Sequence, residues 1–261
     1  MNILVCLKMV SRATYTDMLC ADDASDDRLS GGAIEINPAD AYALETALKL
    51  KDRYGAYVTV LSMSPKLAEP MLRSALAMGA DEAVLVCDRI FADSDTIATA
   101  KTLSAALKAL PRQDMIFCGS KAIDSETGHI GAQLAALNEL RYMGDVLAVN
   151  ELRDGRLCVK HAGKHGAEEY SLVLPAVFSI INGTGMIRSP TIFGLRSSAK
   201  REIRIMTGDT LHLTAEQAGK NASGTETVRI DRLSFAHRHG AYTDDVHDGA
   251  AGLAEMLECA K

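Results

Sequence analysis

The stretch with the most chemical promise runs Gly119, Ser120, Lys121, Ala122, Ile123, Asp124, Ser125, Glu126, Thr127, Gly128, His129, Ile130, Gly131. It follows the apolar run Met115 to Cys118 and carries small and hydroxyl side chains into the start of a helix. Unpaired backbone amides at a helix start, reinforced by the helix dipole, suit a phosphate. The spacing matches neither Gly-x-Gly-x-x-Gly nor Gly-x-x-x-x-Gly-Lys-Ser/Thr, and an ordinary strand-to-helix turn explains the stretch equally well. Asp124 and Glu126 could act as an acid/base pair, but carboxylates ahead of a helix are more commonly caps, the preferred reading. His161 and His165 have the spacing of a metal pair on a helix. They fall in an expected hairpin, where residues four apart do not converge. His237 and His239 lie in a polar tail and read as solvated. No Ser/His/Asp or Cys/His set assembles, so no catalytic residue and no metal site is assigned.

Such a loop needs a frame, and the chain has one. Its 261 residues are 48% hydrophobic and 24% charged, enough for a substantial core and incompatible with wholesale disorder. The net charge of −6 lacks the basic excess of a nucleic-acid binder. No apolar run approaches the ~18 residues of a bilayer helix, and the start Met-Asn-Ile-Leu-Val has no charged leader. The expectation is a chain with neither signal peptide nor membrane insertion. Cys6, Cys20, Cys87, Cys118, Cys158 and Cys259 form no Cys-x-x-Cys pair, which favours reduced thiols and a cytoplasmic setting.

Apolar runs alternate with helical periods. Ile3–Leu7, Tyr57–Met63, Ala83–Cys87 and Met115–Cys118 read as strands. Residues 11–36 hold an acidic cluster (Asp22, Asp23, Asp26, Asp27) and read as a loop ending in a hairpin at Ala33 to Ile36. At the next helix start, Asn37 is expected to cap, Pro38 to occupy the first turn and Asp40 to face the positive end. That helix should stop at Gly55. A second, after Pro65, places Leu67, Met71, Ala75 and Met78 on one stripe. Helices over Asp95–Leu110 and 128–140 complete the alternation. This pattern specifies an α/β fold with a mostly parallel, doubly wound sheet. Ligands bind such sheets at the carboxyl ends of the strands, here Cys6–Lys8, Ser62–Ser64 and Gly119–Gly131. Beyond residue 144, Val146–Leu152 and Leu157–His161 flank the turn Asp154-Gly155 as a hairpin. Ser171–Leu174 and Ala176–Ile181 follow as strands. The expected division is a core over 1–182 and an extended C-terminal arm over 183–261 that wraps a partner, helical only in its last dozen residues.

Five stretches carry a family resemblance: Asn2 to Lys8, Ile36 to Glu45, Ala75 to Asp81, Cys118 to Asp124, and Leu174 to Val177. In this order and at these separations they resemble the beta subunit of electron-transfer flavoproteins, over residues 1–205. The resemblance implies a flavodoxin-like, adenine-nucleotide-binding core and an arm that clasps an alpha subunit, which mainly holds the family's flavin. It implies nucleotide contacts at Cys6, Asn37, Pro38, Ala39, Asp40, Met63 and Gly119 through Ile130. The adenine would lie over Cys6 and Met63, and the phosphate on Ser125, Thr127 and Gly128. It also implies a redox partner, a dehydrogenase such as an acyl-CoA dehydrogenase or a reductase, docking at Arg188 and Ile192.

The nucleotide is AMP in the simple type and a second FAD in the bifurcating type, which oxidises NADH. The run Asp124 to Gly131 resembles the bifurcating form, and small Gly128 leaves room for a diphosphate, so FAD is favoured over AMP. The chain departs from the family at Lys8 to Arg12, at Gly163 to Glu169 and at Ile187 to Phe193, which opens the identity of the redox partner. Its expected role is electron carrier rather than conventional catalyst. The alternatives are a structural AMP-binding subunit and a stand-alone adenine-nucleotide-binding protein.

Overall fold

In the computed structural model, residues 1–11, 34–183, 185–226, 228 and 245–259 are described. Strand β1 (Asn2–Cys6) shows how the core is built. Its side chains alternate, so Ile3 and Val5 enter one apolar cluster while Leu4 and Cys6 enter another on the opposite face. The same division holds along β4 (Tyr57–Met63), β5 (Glu82–Val86) and β6 (Met115–Gly119). A sheet buried on both faces needs continuous apolar strands, which is how these read. Helices α1 (Pro38–Tyr54) and α2 (Glu69–Met78) cover the first face through Ala43, Leu44, Leu48, Leu72 and Leu76. Helices α3 (Thr96–Lys108) and α4 (Ile130–Leu137) cover the second through Leu103, Ala106 and Leu134. The expected doubly wound α/β fold is therefore observed.

Beyond α4 come β7 (Arg141–Arg153), β8 (Arg156–Gly163), β9 (Gly166–Val173) and β10 (Ala176–Ile180). After these lie α5 (Ile192–Ser198), β11 (Arg204–Met206) and two four-residue turns of helix, α6 (Gly208–Leu211) and α7 (Gly219–Ala222). The main sheet has nine strands in the order β11-β5-β4-β1-β6-β10-β7-β8-β9. Every pair from β11 to β7 is parallel, and β7-β8 and β8-β9 are antiparallel. The chain moves outward from β1 through β4 to β5, then returns to β1's other side as β6. The switch point thus lies between β1 and β6, where ligands of such sheets bind. A two-stranded antiparallel pair, β2 (Met9–Ser11) with β3 (Ile34–Ile36), brings the chain back beside β1's end.

Several expectations change. The helix expected over 128–140 is Ile130–Leu137, because the chain from Arg141 pairs in parallel with β10 before it turns into the β8 ladder. The expected hairpin is a three-stranded meander, β9 starting at Gly166 rather than Ser171. Leu67 does not join the stripe with Met71 and Met78. It lies in a 3-10 turn before α2 and is exposed, while Met71 and Met78 pack on the first cluster. One compact unit spans Met1–Glu226 and a second Thr227–Lys261. Ile203, Met206, Leu211 and Ala218 are buried, so the segment to Glu226 belongs to the first unit. Its apolar residues are too widely spaced to show a period. In the second unit, α8 (Val246–Cys259) exposes Val246, Leu253, Met256 and Leu257. The acidic cluster 22–27, His237 and His239 lie outside the described residues. Among the described residues no helix is long and apolar enough to cross a membrane.

Candidate functional site

The site grows from the first turn of α1. Asp40 is buried, and its carboxylate accepts hydrogen bonds from the amides of Lys8 (2.8 Å) and Gly119 (2.7 Å). One side chain thereby fastens the carboxyl ends of β1 and β6. Burial raises its pKa from 3.8 to about 6, against the two amides, Asn37 and Lys8, which favour the charge. Gly119 permits the close approach of α1, since a methyl there would overlap Asp40 Oδ1 and the Ala39 Cβ. Pro38 fills the first helical turn as expected. Asn37 does not cap. It occupies the cap position without a side-chain cap hydrogen bond. Its Nδ2 instead donates to the Lys121 carbonyl (3.0 Å), and its Oδ1 accepts from the Ile123 amide (3.2 Å). Its own amide donates to the Lys8 carbonyl (2.9 Å).

Neither acidic residue of the loop is a cap, a second correction. Asp124 pairs with Lys8 Nζ at 2.6 Å, and Lys8 also reaches Ser125 Oγ at 3.4 Å. Glu126 pairs loosely with Lys121 at 3.4 Å, both exposed. The cap position of α4 is His129, without a side-chain cap. The reason is a tight turn over Ala122, whose carbonyl accepts from the Ser125 and Glu126 amides and turns both acids away from the helix. The amides of Thr127 and Gly128 have no protein acceptor among the described residues.

Below the loop, Cys6 and Cys118 lie side by side on β1 and β6. A hydrogen bond with Cys6, then burial, pushes the Cys118 thiol well above its ordinary pKa, so it stays neutral. The half-buried Met63 packs on the same cluster from the end of β4. Cys6, Asn37 to Asp40, Met63 and Gly119 to Ile130 therefore all belong to the carboxyl-end face around the switch point.

Beside Gly128 opens a cavity of about 540 Å³. Ser120, Lys121, Glu126, Thr127 and Gly128 line one side, and Tyr142, Asp145, Ser179, Ile181 and Asn182 the other. Tyr142 and Ser179 share a hydrogen bond of 3.0 Å, and burial raises the Tyr142 pKa. Sequence reasoning missed this second wall. Its one signal was Ser179, the sole polar residue inside the apolar run Ala176 to Ile181.

Arg188 and Ile192 lie along a different flank. Arg188 turns inward, its Nε and Nη2 forking onto Glu45 (2.9 and 3.1 Å) and Nη2 also meeting Asp52 at 2.7 Å. Ile192 is 77% exposed and Phe193 83%. His161 bonds the Gly144 carbonyl at 2.9 Å from β8, and His165 lies in the next turn. No group of three or more His, Cys, Asp or Glu suited to a metal occurs among the described residues.

Comparison with known proteins adds an independent line. The electron transfer flavoprotein domain model matches residues 30–203. The electron transfer flavoprotein subunit beta of Thermoanaerobacterium thermosaccharolyticum is 35% identical over 259 residues, covering 98% of both chains. The caffeyl-CoA reductase-Etf complex subunit CarD of Acetobacterium woodii is 34% identical, over 88% of this chain and 87% of its own. The acryloyl-CoA reductase electron transfer subunit gamma of Anaerotignum propionicum is 42% identical over 172 residues, 61% of this chain and 64% of its own.

Proposed function

Since the chain belongs to the electron transfer flavoprotein family, as a beta subunit, we propose that it carries an adenine dinucleotide, FAD, in the cleft between β1 and β6. In this reading it passes electrons between flavins and a dehydrogenase or reductase while bound to an alpha-type subunit. The observation that carries the choice of FAD is the cavity beside Gly128, whose 540 Å³ continues past the phosphate loop toward Tyr142 and Asn182. Its lining takes in Ser120, Thr127 and Gly128 of the loop and extends to Tyr142, Ser179 and Asn182, which in this reading leaves room for a group beyond the first phosphate. The donor set fits a phosphate: unpaired amides at Thr127 and Gly128, hydroxyls at Ser120, Ser125 and Thr127, and the ammonium groups of Lys8 and Lys121.

The flavin, when bound, supplies the redox chemistry. The chain's residues bind and orient. Cys6, neutral Cys118 and Met63 give the adenine an apolar floor, and Asp40 and Asn37 hold the phosphate loop in shape. The relatives named for caffeyl-CoA and acryloyl-CoA reductase complexes support a partner acting on acyl-CoA thioesters.

The test is the nucleotide content of the complex purified with its alpha-type subunit. Two FAD and no AMP per heterodimer is the expected result. One FAD and one AMP would overturn the FAD assignment and leave a structural nucleotide holder. Neither nucleotide would refute the site.

A further inference from the structure

Glu45 lies on α1 among Ala43, Leu44, Ala47 and Leu48, and its residue is only 5% exposed. A carboxylate so placed costs stability unless it is paired. Here both oxygens are engaged by one residue. Oε2 accepts from the Arg188 amide (3.1 Å) and Nε (2.9 Å), and Oε1 from Nη2 (3.1 Å). This is the bidentate fork in which Arg gives direction as well as attraction. Four residues on, the segment turns into α5, whose Thr191 side chain accepts from the Gly194 amide (3.0 Å). A methyl at Gly194 would overlap the Ala77 carbonyl, so α5 is seated directly on the end of α2. Arg73 then donates to the carbonyls of Ser198 (3.0 Å) and Arg201 (3.1 Å) at the far end. The segment is held at both ends and the middle, yet Met186, Ile192, Phe193 and Leu195 all face outward. Ordering of this kind lowers the entropy cost of association.

We propose that Glu45 is a positioning residue for the docking of the redox partner, holding the Ile192–Phe193 pair in its presenting geometry through Arg188. The proposal rests on the electron-carrier reading above. Both Glu45 oxygens are taken up by Arg188, so its effect runs through residues 186–198.

The experiment uses the heterodimer with the alpha-type subunit. Glu45→Gln keeps the shape of the side chain and removes its charge. Amide hydrogen exchange over residues 186–198 should accelerate at least tenfold, with residues 115–123 and nucleotide content unchanged. Arg188→Ala should match it, and the double variant should add nothing. A purified flavin-dependent acyl-CoA dehydrogenase with its acyl-CoA serves as the electron-exchange probe. Its KM should rise about tenfold in Glu45→Gln while kcat stays constant, and that rise should vanish in an Ile192→Ala, Phe193→Ala background. Unchanged exchange at 186–198, or an equal rise throughout the sheet, overturns the proposal. Should the wild-type heterodimer not exchange electrons with the probe, the carrier reading fails for that partner class and the docking role of Glu45 falls with it, whereas a rise in exchange at 186–198 without any change in KM overturns the docking role alone.

Discussion

The loop over the switch point and the segment around α5 solve opposite problems with the same helix. At the loop, buried polar side chains point inward. Asp40 and Asn37 spend their hydrogen bonds on the backbone of Lys8, Gly119, Lys121 and Ile123, leaving the Thr127 and Gly128 amides open. At α5, buried charge from Glu45 fixes a segment whose apolar side chains point outward. At the loop, side chains fix the backbone around the amides that the proposed phosphate would meet. At α5, the clamp lies beneath apolar side chains that point outward. The difference predicts that damage at one should not appear at the other.

The largest effect is expected from Asp40→Ala, which strands two partly buried amides at the ends of β1 and β6. Unfolding stability should fall by about 3 kcal/mol and nucleotide should be lost. Denaturant titration and nucleotide assay check this, and a variant retaining full nucleotide would break the comparison on its polar side.

The charge of the same residue gives the next prediction. Asp40 ionises at about 6 in the folded chain and at 3.8 when unconstrained. Between those values the folded state binds more protons, so this contribution is fully present below pH 3.8 and is lost as pH rises through about 6. Relative to Asp40→Asn, the wild type should lose on the order of 3 kcal/mol across that window and change little above it. A flat difference between the two stability–pH curves would show that Asp40 is solvated.

Truncating Ile192 and Phe193 to alanine together should weaken partner docking by roughly ten- to a hundredfold, within the range for exposed anchors. Melting temperature and nucleotide content should not move, because neither side chain supports the core. A small structural effect is expected from Gly128→Asn. Gly128 has φ +64°, which Asn tolerates, and its Cβ would stand 3.1 Å from the Ser120 carbonyl. Stability should change by less than about 1 kcal/mol, while FAD is excluded before AMP. Unchanged flavin content would show that the cavity beside it is not the dinucleotide's path.

The parallel sheet was legible because its strands are buried on both faces and so read as unbroken apolar runs. The position of the loop at the carboxyl-end face was legible from its place after β6. Its acidic residues were misread as caps because the turn at Ala122, a matter of backbone geometry, turns them away. Asn37 was misread for a related reason. A cap and a long-range clamp use the same residue type, and only the fold decides which carbonyl lies near. The far wall of the cavity was invisible because Tyr142 and Asn182 reach it through the parallel pairing of β7 with β10, a contact no local pattern encodes. Glu45 carried a faint signal as a carboxylate on the apolar side of a helix, but its partner lies 143 residues away.

Helix α1 also sets a length. Asp40 and Asp52 both lie on it, and at 1.5 Å per residue their separation along the axis is about 18 Å. One end holds the ends of β1 and β6 through Asp40 and the other meets Arg188 through Asp52, so the helix sets the spacing between the two sites proposed above. Electron transfer falls steeply with distance, and a gauge cut from one unbroken helix cannot drift. A single-residue insertion between the two would lengthen it by one rise and swing the far end through about 100°, leaving each grip chemically whole and their spacing broken.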